Sequence, residues 1–214
     1  MTRPRRLVVV LGTATEVGKT WAGCRLLEAL RAEGRSVAAR KPAQSFEADG
    51  QEPTAATDAD LLAAATGEEP GDVCPAHRWY PVPLAPPMAA RRLGQAEIRL
   101  ADLVAELRWP DGVDIGLVEG AGGVRSPLAE DGDGADLARA LAPDLVLVVA
   151  DAGLGTIHAV RASLGSLADL PVAVLLNRYD ATDPLHRENR EWLADRDGTR
   201  VVTDLASAAA LLTA

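Results

Sequence analysis

An apolar run that ends in a glycine loop, at residues 5–20 (RRLVVVLGTATEVGKT), constrains the fold of this chain more than any other segment. Residues 7–11 have the length and composition of a strand buried within a parallel sheet. The loop then closes on Gly18, Lys19 and Thr20, where backbone N–H groups can point at phosphate oxygens. This order predicts a strand, a phosphate-binding loop and a helix whose N-terminus favours anions.

Each residue at the end of the loop has a role in such a site. Gly18 permits close approach of the backbone, Lys19 brings positive charge to the β- and γ-phosphates, and the Thr20 hydroxyl can ligate Mg²⁺. The standard pattern G-x-x-x-x-G-K-[ST] places glycine at position 13, whereas this chain has Thr13 and carries its glycine at Gly12. The sequence therefore predicts a variant phosphate loop, rather than a glycine turn beside a surface lysine.

Composition limits the size of the fold and the kinds of partner. The 214 residues, 48% of them hydrophobic, suffice to bury the core of one α/β domain, and we expect residues 1–214 to form a single domain. The net charge of -9 argues against nucleic acid and anionic membrane surfaces as partners, since both attract clustered positive charge. The short basic run Arg3, Arg5 and Arg6 is interpreted as a solvated edge of the first strand.

Cysteines and histidines indicate neither a disulfide framework nor a histidine metal site. Cys24 and Cys74 are too few and too far apart for a disulfide scaffold, which favours a reducing cytoplasm. The three histidines are scattered without metal-ligand spacing. No uninterrupted apolar stretch has the length of a membrane span, and the N-terminus lacks a signal-peptide pattern, so we expect a cytoplasmic protein.

Strand and helix patterns alternate beyond the first strand. Strand patterns lie at residues 36–40, 115–118, 145–150 and 172–176, and helical patterns lie at residues 21–33, 58–65 and 99–108. Residues 47–57 are predicted to form a loop, and residues 81–87 (PVPLAPP) an extended segment before a helix near Met88. The alternation predicts an α/β fold, a doubly wound and mostly parallel sheet of the P-loop NTPase type, which binds ligands at the carboxyl edge of its strands.

Polar residues that follow three of these strands suit one chemical task. Lys19, Lys41 and Glu119 each follow a predicted strand. The sequence has two lysines, Lys19 and Lys41, and both lie at such strand ends. Thr20, Asp58 and Glu119 offer the hard oxygen ligands that Mg²⁺ prefers. Lys41 could instead be a solvated turn residue before a proline, and Glu119 could be a capping or surface acid. The GAGG sequence after Glu119 favours the functional interpretation of that residue.

Six motifs in order resemble the dethiobiotin synthetase family. They are GTATEVGKT at 12–20, RKPAQS at 40–45, TDAD at 57–60, PLAPPMAA at 83–90, VEGAGGVRSPL at 118–128 and ADAGLGTIHAV at 150–160. The resemblance covers about three quarters of the chain. The combination of the variant loop, the Lys-Pro strand end and Val-Glu-Gly-Ala-Gly-Gly is far more specific than any single motif.

The resemblance implies an ATP-dependent ligase. Proteins of this family convert 7,8-diaminononanoate, CO₂ and ATP to dethiobiotin, ADP and phosphate, through an N-carbamate that is phosphorylated and then closes to a cyclic urea. By similarity, Lys19 contacts the γ-phosphate and Lys41 stabilises the carbamate and the developing charge. Mg²⁺ is then held by the residues Thr20, Asp58 and Glu119.

The same resemblance implies further contacts. The loop residues Gly12, Thr13, Glu16, Val17 and Gly18 surround the nucleotide, with Glu16 shaping the substrate end of the loop. Contacts beyond the loop are Asn177 with the nucleotide base, Ser45 with the substrate, and Gly155, Thr156 and Ile157 with the substrate carboxylate of the neighbouring subunit. A helix N-terminus suits such an anion. This arrangement implies a homodimer with active sites at its interface.

The chain departs from the family pattern at four positions around the inferred substrate region, namely Ala14, Phe46, Pro87 and His158. The C-terminal segment VVTDLASAAALL also lacks the proline that helps hold the base in the family, so the preference for ATP over other nucleotides stays open. Both Asp58 and Asp60 could be the metal ligand of the TDAD motif. We favour Asp58 because it follows a small hydroxyl residue.

Three alternatives follow from these observations. A divergent paralogue could use another amine substrate, or it could keep the phosphate loop but lose substrate recognition and be catalytically silent, an alternative motivated by the four departures. A nucleotide-switch ATPase of the kind that sorts DNA or positions the division machinery usually has a second lysine at the start of the loop, which residues 11–14 lack. A corrinoid-amidating ligase needs a glutamine-hydrolysing domain, for which we expect no room in this chain.

Overall fold

The computed structural model describes residues 3–213 of the 214-residue chain, and its strands have the following bounds. They are β1 (Arg6–Gly12), β2 (Val37–Arg40), β3 (Gln44–Ser45), β4 (Ala48–Asp49), β5 (Glu52–Pro53), β6 (Trp79–Tyr80), β7 (Ile115–Glu119), β8 (Pro127–Ala129), β9 (Gly132–Asp133), β10 (Leu145–Asp151), β11 (Val172–Asn177) and β12 (Val201–Val202). Six of them form the central sheet, in the order β12-β11-β10-β1-β7-β2. Every neighbouring pair in this sheet is parallel.

Helices connect these strands. They are α1 (Lys19–Ala32), α2 (Asp58–Thr66), α3 (Pro70–Val73), α4 (Pro86–Arg92), α5 (Leu100–Glu106), α6 (Gly134–Leu141), α7 (Thr156–Leu164), α8 (Pro184–Glu191) and α9 (Leu205–Thr213). A 3₁₀ turn at Ala76–Arg78 and a π turn at Trp192–Arg196 complete the set within residues 3–213.

The sheet is buried on both faces, which explains the unbroken apolar run of its first strand. Val9 belongs to one core cluster together with Leu137 of α6, whereas Val10 belongs to a second cluster together with Leu26 of α1. Successive side chains of a strand point to opposite faces, so each face receives every second residue of β1. Burying each such side chain contributes roughly 1.5–3 kcal/mol. The two clusters lie between the sheet and its two helical layers, as expected for a doubly wound fold.

The predicted fold class is confirmed, with differences at several boundaries. Helix α4 begins at Pro86 and not near Met88, because a proline is compatible with the first turn of a helix, where its missing N–H is not needed. The predicted loop at residues 47–57 contains the two-residue strands β4 and β5, paired antiparallel. Helix α1 begins at Lys19, two residues before the predicted start, so the loop lysine is itself helical.

Strand β1 lies at the centre of the sheet, between β10 and β7. The chain leaves β1 through α1, reaches β2 on the far side of β7, and later continues to β10 on the opposite side of β1. A crevice at such a reversal of strand order is the usual ligand site of an open α/β sheet. No helix among the described residues is long and apolar enough to cross a membrane.

Candidate active site

The phosphate loop joins β1 to α1 and contains two sterically required glycines. Gly18 has φ 91°, in the left-handed region, and a Cβ atom there would lie 2.2 Å from Asn177 Nδ2. A Cβ atom at Gly12 would lie 2.9 Å from both the Ala14 carbonyl oxygen and the Val17 side chain. Glycine is therefore needed at both positions, including the one that departs from the standard motif.

Lys19 is the first residue of α1 and lies folded back across the loop. Its ammonium donates to the Ala14 carbonyl oxygen at 3.2 Å, and the residue is only 8% exposed. Burial lowers the pKa of the Lys19 ammonium, and repulsion from Lys41 lowers it further. The loop thus holds a cation whose charge is poorly solvated and available to an anionic ligand.

Four side chains from different elements meet beside Lys19. The Thr20 hydroxyl donates to Asp58 Oδ1 at 2.8 Å, and its oxygen lies 2.9 Å from Glu119 Oε1. Lys41 Nζ lies 2.6 Å from Glu119 Oε1, 2.7 Å from Asp58 Oδ2 and 3.1 Å from the carbonyl oxygen of Gly120. Residues 99 positions apart in sequence are therefore in direct contact, as the strand-end argument predicts.

Burial and charge set the protonation of this cluster. Burial alone would lower the pKa of Lys41, but the neighbouring Glu119 and Asp58 carboxylates raise it above its usual value. Burial opposes ionisation of Asp58 as well, yet the Lys41 ammonium and the Thr20 hydroxyl bring the pKa of Asp58 below its usual value. Burial raises the pKa of Glu119 despite its contact with Lys41. A positive lysine is thus fixed between two acids.

The start of α2 determines which acid faces the cluster. Thr57 caps the helix by accepting from the Asp60 backbone N–H, and the Asp60 carboxylate accepts from the Thr57 backbone N–H at 2.8 Å. Such a capping box occupies the Asp60 side chain. Asp58, one residue after the cap, points at Thr20 and Lys41 instead.

Gln44 braces this helix start. Its side-chain carbonyl accepts from the Ala59 backbone N–H at 3.0 Å, and its amide donates to the Thr57 hydroxyl at 3.2 Å. Because Gln44 follows Lys41 by three residues, it ties the segment of the lysine to the helix of Asp58. Gln44 lies within the RKPAQS motif but was not predicted as a site residue.

The oxygen atoms of this cluster fit a divalent cation. Thr20, Asp58 and Glu119 supply a hydroxyl and two carboxylates, the donor set that Mg²⁺ accepts in triphosphate sites. Glu119 Oε2 is buried and has no hydrogen-bond partner among the described residues. No group of three or more His, Cys, Asp or Glu side chains within residues 3–213 could form an all-protein metal cage. Mg²⁺ would therefore take its remaining ligands from water and phosphates.

The cluster forms the floor of a cleft of about 770 Å³. Eight of the predicted site residues line it: Glu16, Gly18, Lys19, Thr20, Lys41, Ser45, Asp58 and Glu119. The Ser45 hydroxyl donates to the carbonyl oxygen of Leu84, which also lines the cleft. Trp21 and Ser126 also line the cleft, and sequence reasoning missed both because no motif marks a helix residue or a turn hydroxyl as exposed to a ligand.

The remaining predicted residues lie outside the walls of this cleft. Gly12 ends β1, Thr13 and Val17 belong to the loop, and Asn177 donates from Nδ2 to the Val17 carbonyl oxygen at 2.9 Å. The start of α7, predicted to bind the substrate carboxylate in a neighbouring subunit, does not line the cleft of this chain, and Thr156 within it is buried. Its residues are Gly155, Thr156 and Ile157.

Of the four departures from the family pattern, only Phe46 lines the cleft of the described chain. Its ring packs edge-to-face against Trp79, with the centroids 6.2 Å apart. Ala14 uses its backbone oxygen to bind Lys19, Pro87 is buried in the first turn of α4, and His158 is exposed on α7. Phe46 is therefore the departure that can directly change which substrate fits this cleft.

A parallel sheet whose first strand leads into a glycine loop with a buried lysine, beside carboxylates at neighbouring strand ends, defines a P-loop nucleotide-binding protein. The sequence model of a family described as an AAA domain matches residues 6–211. The ATP-dependent dethiobiotin synthetase BioD of Caulobacter vibrioides (strain NA1000 / CB15N) is 41% identical over 190 residues, covering 82% of this chain and 83% of that protein. The chain therefore belongs to the ATP-dependent dethiobiotin synthetase family.

Other comparisons agree. The ATP-dependent dethiobiotin synthetase BioD of Rhodococcus jostii (strain RHA1) is 43% identical over 164 residues, covering 76% of this chain and 68% of that protein. Among solved structures, the signal recognition particle receptor FtsY from Elizabethkingia anophelis aligns with a TM-score of 0.55 at 14% identity, covering 100% of this chain and 67% of that one. This structural likeness concerns the fold alone.

Proposed function

We propose that this chain is an ATP-dependent ligase that forms dethiobiotin from 7,8-diaminononanoate and CO₂, a step of biotin biosynthesis, and that residues 1–214 act as one ligase domain. The convergence of two lysines, a hydroxyl and two carboxylates on one cleft carries the proposal. Relatives about 40% identical over most of the chain name this activity and support it.

The nucleotide end of the cleft is the phosphate loop. The N-terminus of α1 provides unpaired backbone N–H groups and a partial positive charge, to which Lys19 adds a full charge. Because Lys19 is poorly solvated, an approaching triphosphate displaces little water from it, and the interaction is stronger than at an exposed lysine.

Mg²⁺ would be held by Thr20, Asp58 and Glu119. When bound, it neutralises charge on the phosphate oxygens. The protein prepares this site through the capping box of α2 and through Gln44, which fix Asp58 at the end of its helix. Asp58 therefore keeps its place without help from the ligand.

Lys41 suits the transfer step. The carbamate oxygen attacks the γ-phosphorus and ADP leaves; the second amine then attacks the carbamate carbon, so that the urea ring closes and phosphate leaves. Both steps gather negative charge on oxygen atoms, which a fixed cation stabilises without reorganisation. Lys41 is such a cation, because its contacts with Asp58 and Glu119 hold it at the cleft floor.

The amine substrate would occupy the wall formed by Ser45, Phe46 and Leu84. Ser45 presents a hydroxyl, while Phe46 and Leu84 offer apolar surface to an alkyl chain. The carboxylate at the far end of the substrate would reach the start of α7 in a second subunit. This assignment makes the functional unit a homodimer, and it explains why Thr156 lies outside the cleft of its own chain.

The decisive experiment is turnover by the purified protein. Diaminononanoate, bicarbonate and Mg²⁺ are supplied with ATP, CTP or GTP in separate reactions, and dethiobiotin is detected by mass. We expect product with ATP and none from the Lys41→Ala variant. A protein that binds ATP tightly but makes no dethiobiotin would contradict the proposal and point to another amine substrate, with Phe46 as the first residue to examine.

A further inference from the structure

Two consecutive residues at the end of β11 bind two consecutive carbonyl groups of the phosphate loop. Asn177 donates to the Val17 carbonyl oxygen at 2.9 Å, and Arg178 donates from Nη2 to the Glu16 carbonyl oxygen at 3.1 Å. The Asn177 contact is buried, whereas the Arg178 contact lies at the surface. The loop is thus held by two residues that do not themselves line the cleft.

The contact from Arg178 reaches a strained part of the loop backbone. Glu16 has φ 59°, a left-handed conformation that costs free energy for any residue other than glycine, and Gly18 follows at φ 91°. A left-handed residue other than glycine persists where the surrounding structure holds it, so Glu16 depends on contacts from outside the loop. The carbonyl of Glu16 receives such a contact from the guanidinium of Arg178.

Arg178 also reaches the neighbouring strand. Its Nη1 atom lies 3.1 Å from Asp151 Oδ2 at the end of β10, while Asp151 Oδ1 accepts from the Gly153 backbone N–H at 2.8 Å. One guanidinium therefore bridges the phosphate loop and the loop before α7. A planar group with several donors can do this in two directions at once, which a lysine ammonium on a flexible stem does less well.

We propose that Arg178 is a positioning residue of the nucleotide site, which holds the left-handed turn at Glu16 and so keeps the N–H groups of the phosphate loop aimed at the nucleotide. Arg178 is not among the residues that line the cleft, so it acts through the loop. The effect belongs to nucleotide binding. It is therefore measurable whatever the identity of the amine substrate.

The test is a titration of the full chain with Mg-ATP. In Arg178→Gly the guanidinium is removed while the left-handed backbone, φ 57° at this position, stays accessible. We expect the Kd for Mg-ATP to rise about threefold to tenfold, as the loss of one solvent-exposed hydrogen bond from a charged group predicts. Amide exchange of residues 13–20 should accelerate in the same variant. In turnover assays the KM for ATP should rise, with kcat at saturating ATP within about twofold of the wild type.

Three further variants sharpen the test. Arg139→Ala removes a surface arginine that pairs with Asp169, and the Kd should stay at the wild-type value. Asp151→Asn removes one charge of the ion pair but leaves the donor to Glu16, and should change the Kd less than Arg178→Gly. Arg178→Lys keeps the charge and should give an intermediate Kd.

An unchanged Kd in Arg178→Gly would overturn the proposal, as would an equal rise in Arg139→Ala or in Asp151→Asn. If Arg178→Gly fails to fold, the Kd of Arg178→Lys decides by the same criterion. Absence of dethiobiotin formation by the wild type would refute the proposed function but would leave this titration intact.

Discussion

Lys41 is only 2% exposed and forms ion pairs with Asp58 and Glu119. Within the described chain, no second lysine pairs with either acid. In Lys41→Met the buried Glu119 and its neighbour Asp58 lose their shared counter-ion. We expect the free energy of unfolding to fall by about 3–5 kcal/mol, the usual cost of leaving a buried charge unpaired. Urea denaturation monitored by tryptophan fluorescence measures this change.

The double variant Lys41→Met with Glu119→Gln is the matched control. Removing the acid as well should restore most of the stability, although turnover stays absent in both variants. A single variant as stable as the wild type would show that the carboxylates find other partners and that the ion pair is not a determinant of this fold.

Both thiols are predicted to be unreactive. Burial raises the pKa of Cys24 and of Cys74 from 9.0 to about 12. At any pH below 9 the thiolate fraction is then about a thousandfold lower than for a free thiol, since each pKa unit is a factor of ten. Modification by iodoacetamide at pH 8 should be slow in the native protein, faster at pH 10, and fast at pH 8 in urea. Rapid labelling of native protein at pH 8 would contradict this expectation.

At the scale of single elements, the start of α2 separates a structural acid from a functional one. Asp60 belongs to the capping box, so Asp60→Ala should lower the free energy of unfolding by about 1 kcal/mol and leave the Mg²⁺ dependence of turnover unchanged. Asp58→Asn should instead raise the Mg²⁺ concentration for half-maximal turnover by about tenfold or more. Mg²⁺ titrations of turnover and urea denaturation of both variants distinguish these effects. The reverse pattern would exchange the roles of the two residues.

Local pattern was sufficient for the elements that carry the cluster. A buried strand followed by a polar residue predicts where Lys41 and Glu119 lie, because all strand ends of a parallel sheet meet at one edge. The predicted helix start at Asp58 is confirmed, whereas the capping box of Thr57 and Asp60 was not predicted, although its contacts are made within four residues. In these places, residues that are close in sequence determine the local structure.

Contacts between distant elements were not predictable in this way. The bond from Asn177 to Val17 joins positions 160 residues apart, and nothing in either segment specifies the other. The resemblance assigned Asn177 to the nucleotide base, and that contact stays a prediction. Gln44 was not predicted for the same reason. Its partners Thr57 and Ala59 lie at the start of α2, which only the tertiary fold brings close to Gln44.

For the whole molecule, the proposed homodimer predicts complementation between inactive variants. One protein carries Lys41→Ala, and the other carries Thr156→Asp, which places a negative charge where the substrate carboxylate would bind. If each active site combines Lys41 of one subunit with Thr156 of the other, a mixed dimer has one intact site and one doubly defective site. Random exchange of equal amounts should therefore restore about a quarter of wild-type turnover, because half of the dimers are mixed.

Turnover of the mixture, after subunit exchange verified by mass spectrometry, checks this prediction. Each variant alone should show no turnover, and the two variants assayed without subunit exchange should show none either. If both residues acted within one subunit, mixing would restore nothing, and the site at the start of α7 would need another role.

The position of β1 at the middle of the sheet has a consequence for how the protein is made. A ribosome releases β1 and the phosphate loop first, yet the flanking strands β7 and β10 begin only at Ile115 and Leu145, and Asn177 comes later still. The nascent chain must therefore keep an apolar strand unpaired at least until Ile115 has been synthesised. We expect synthesis arrested before β11 to yield a product that ATP stabilises poorly, because its phosphate loop would lack the contact from Asn177.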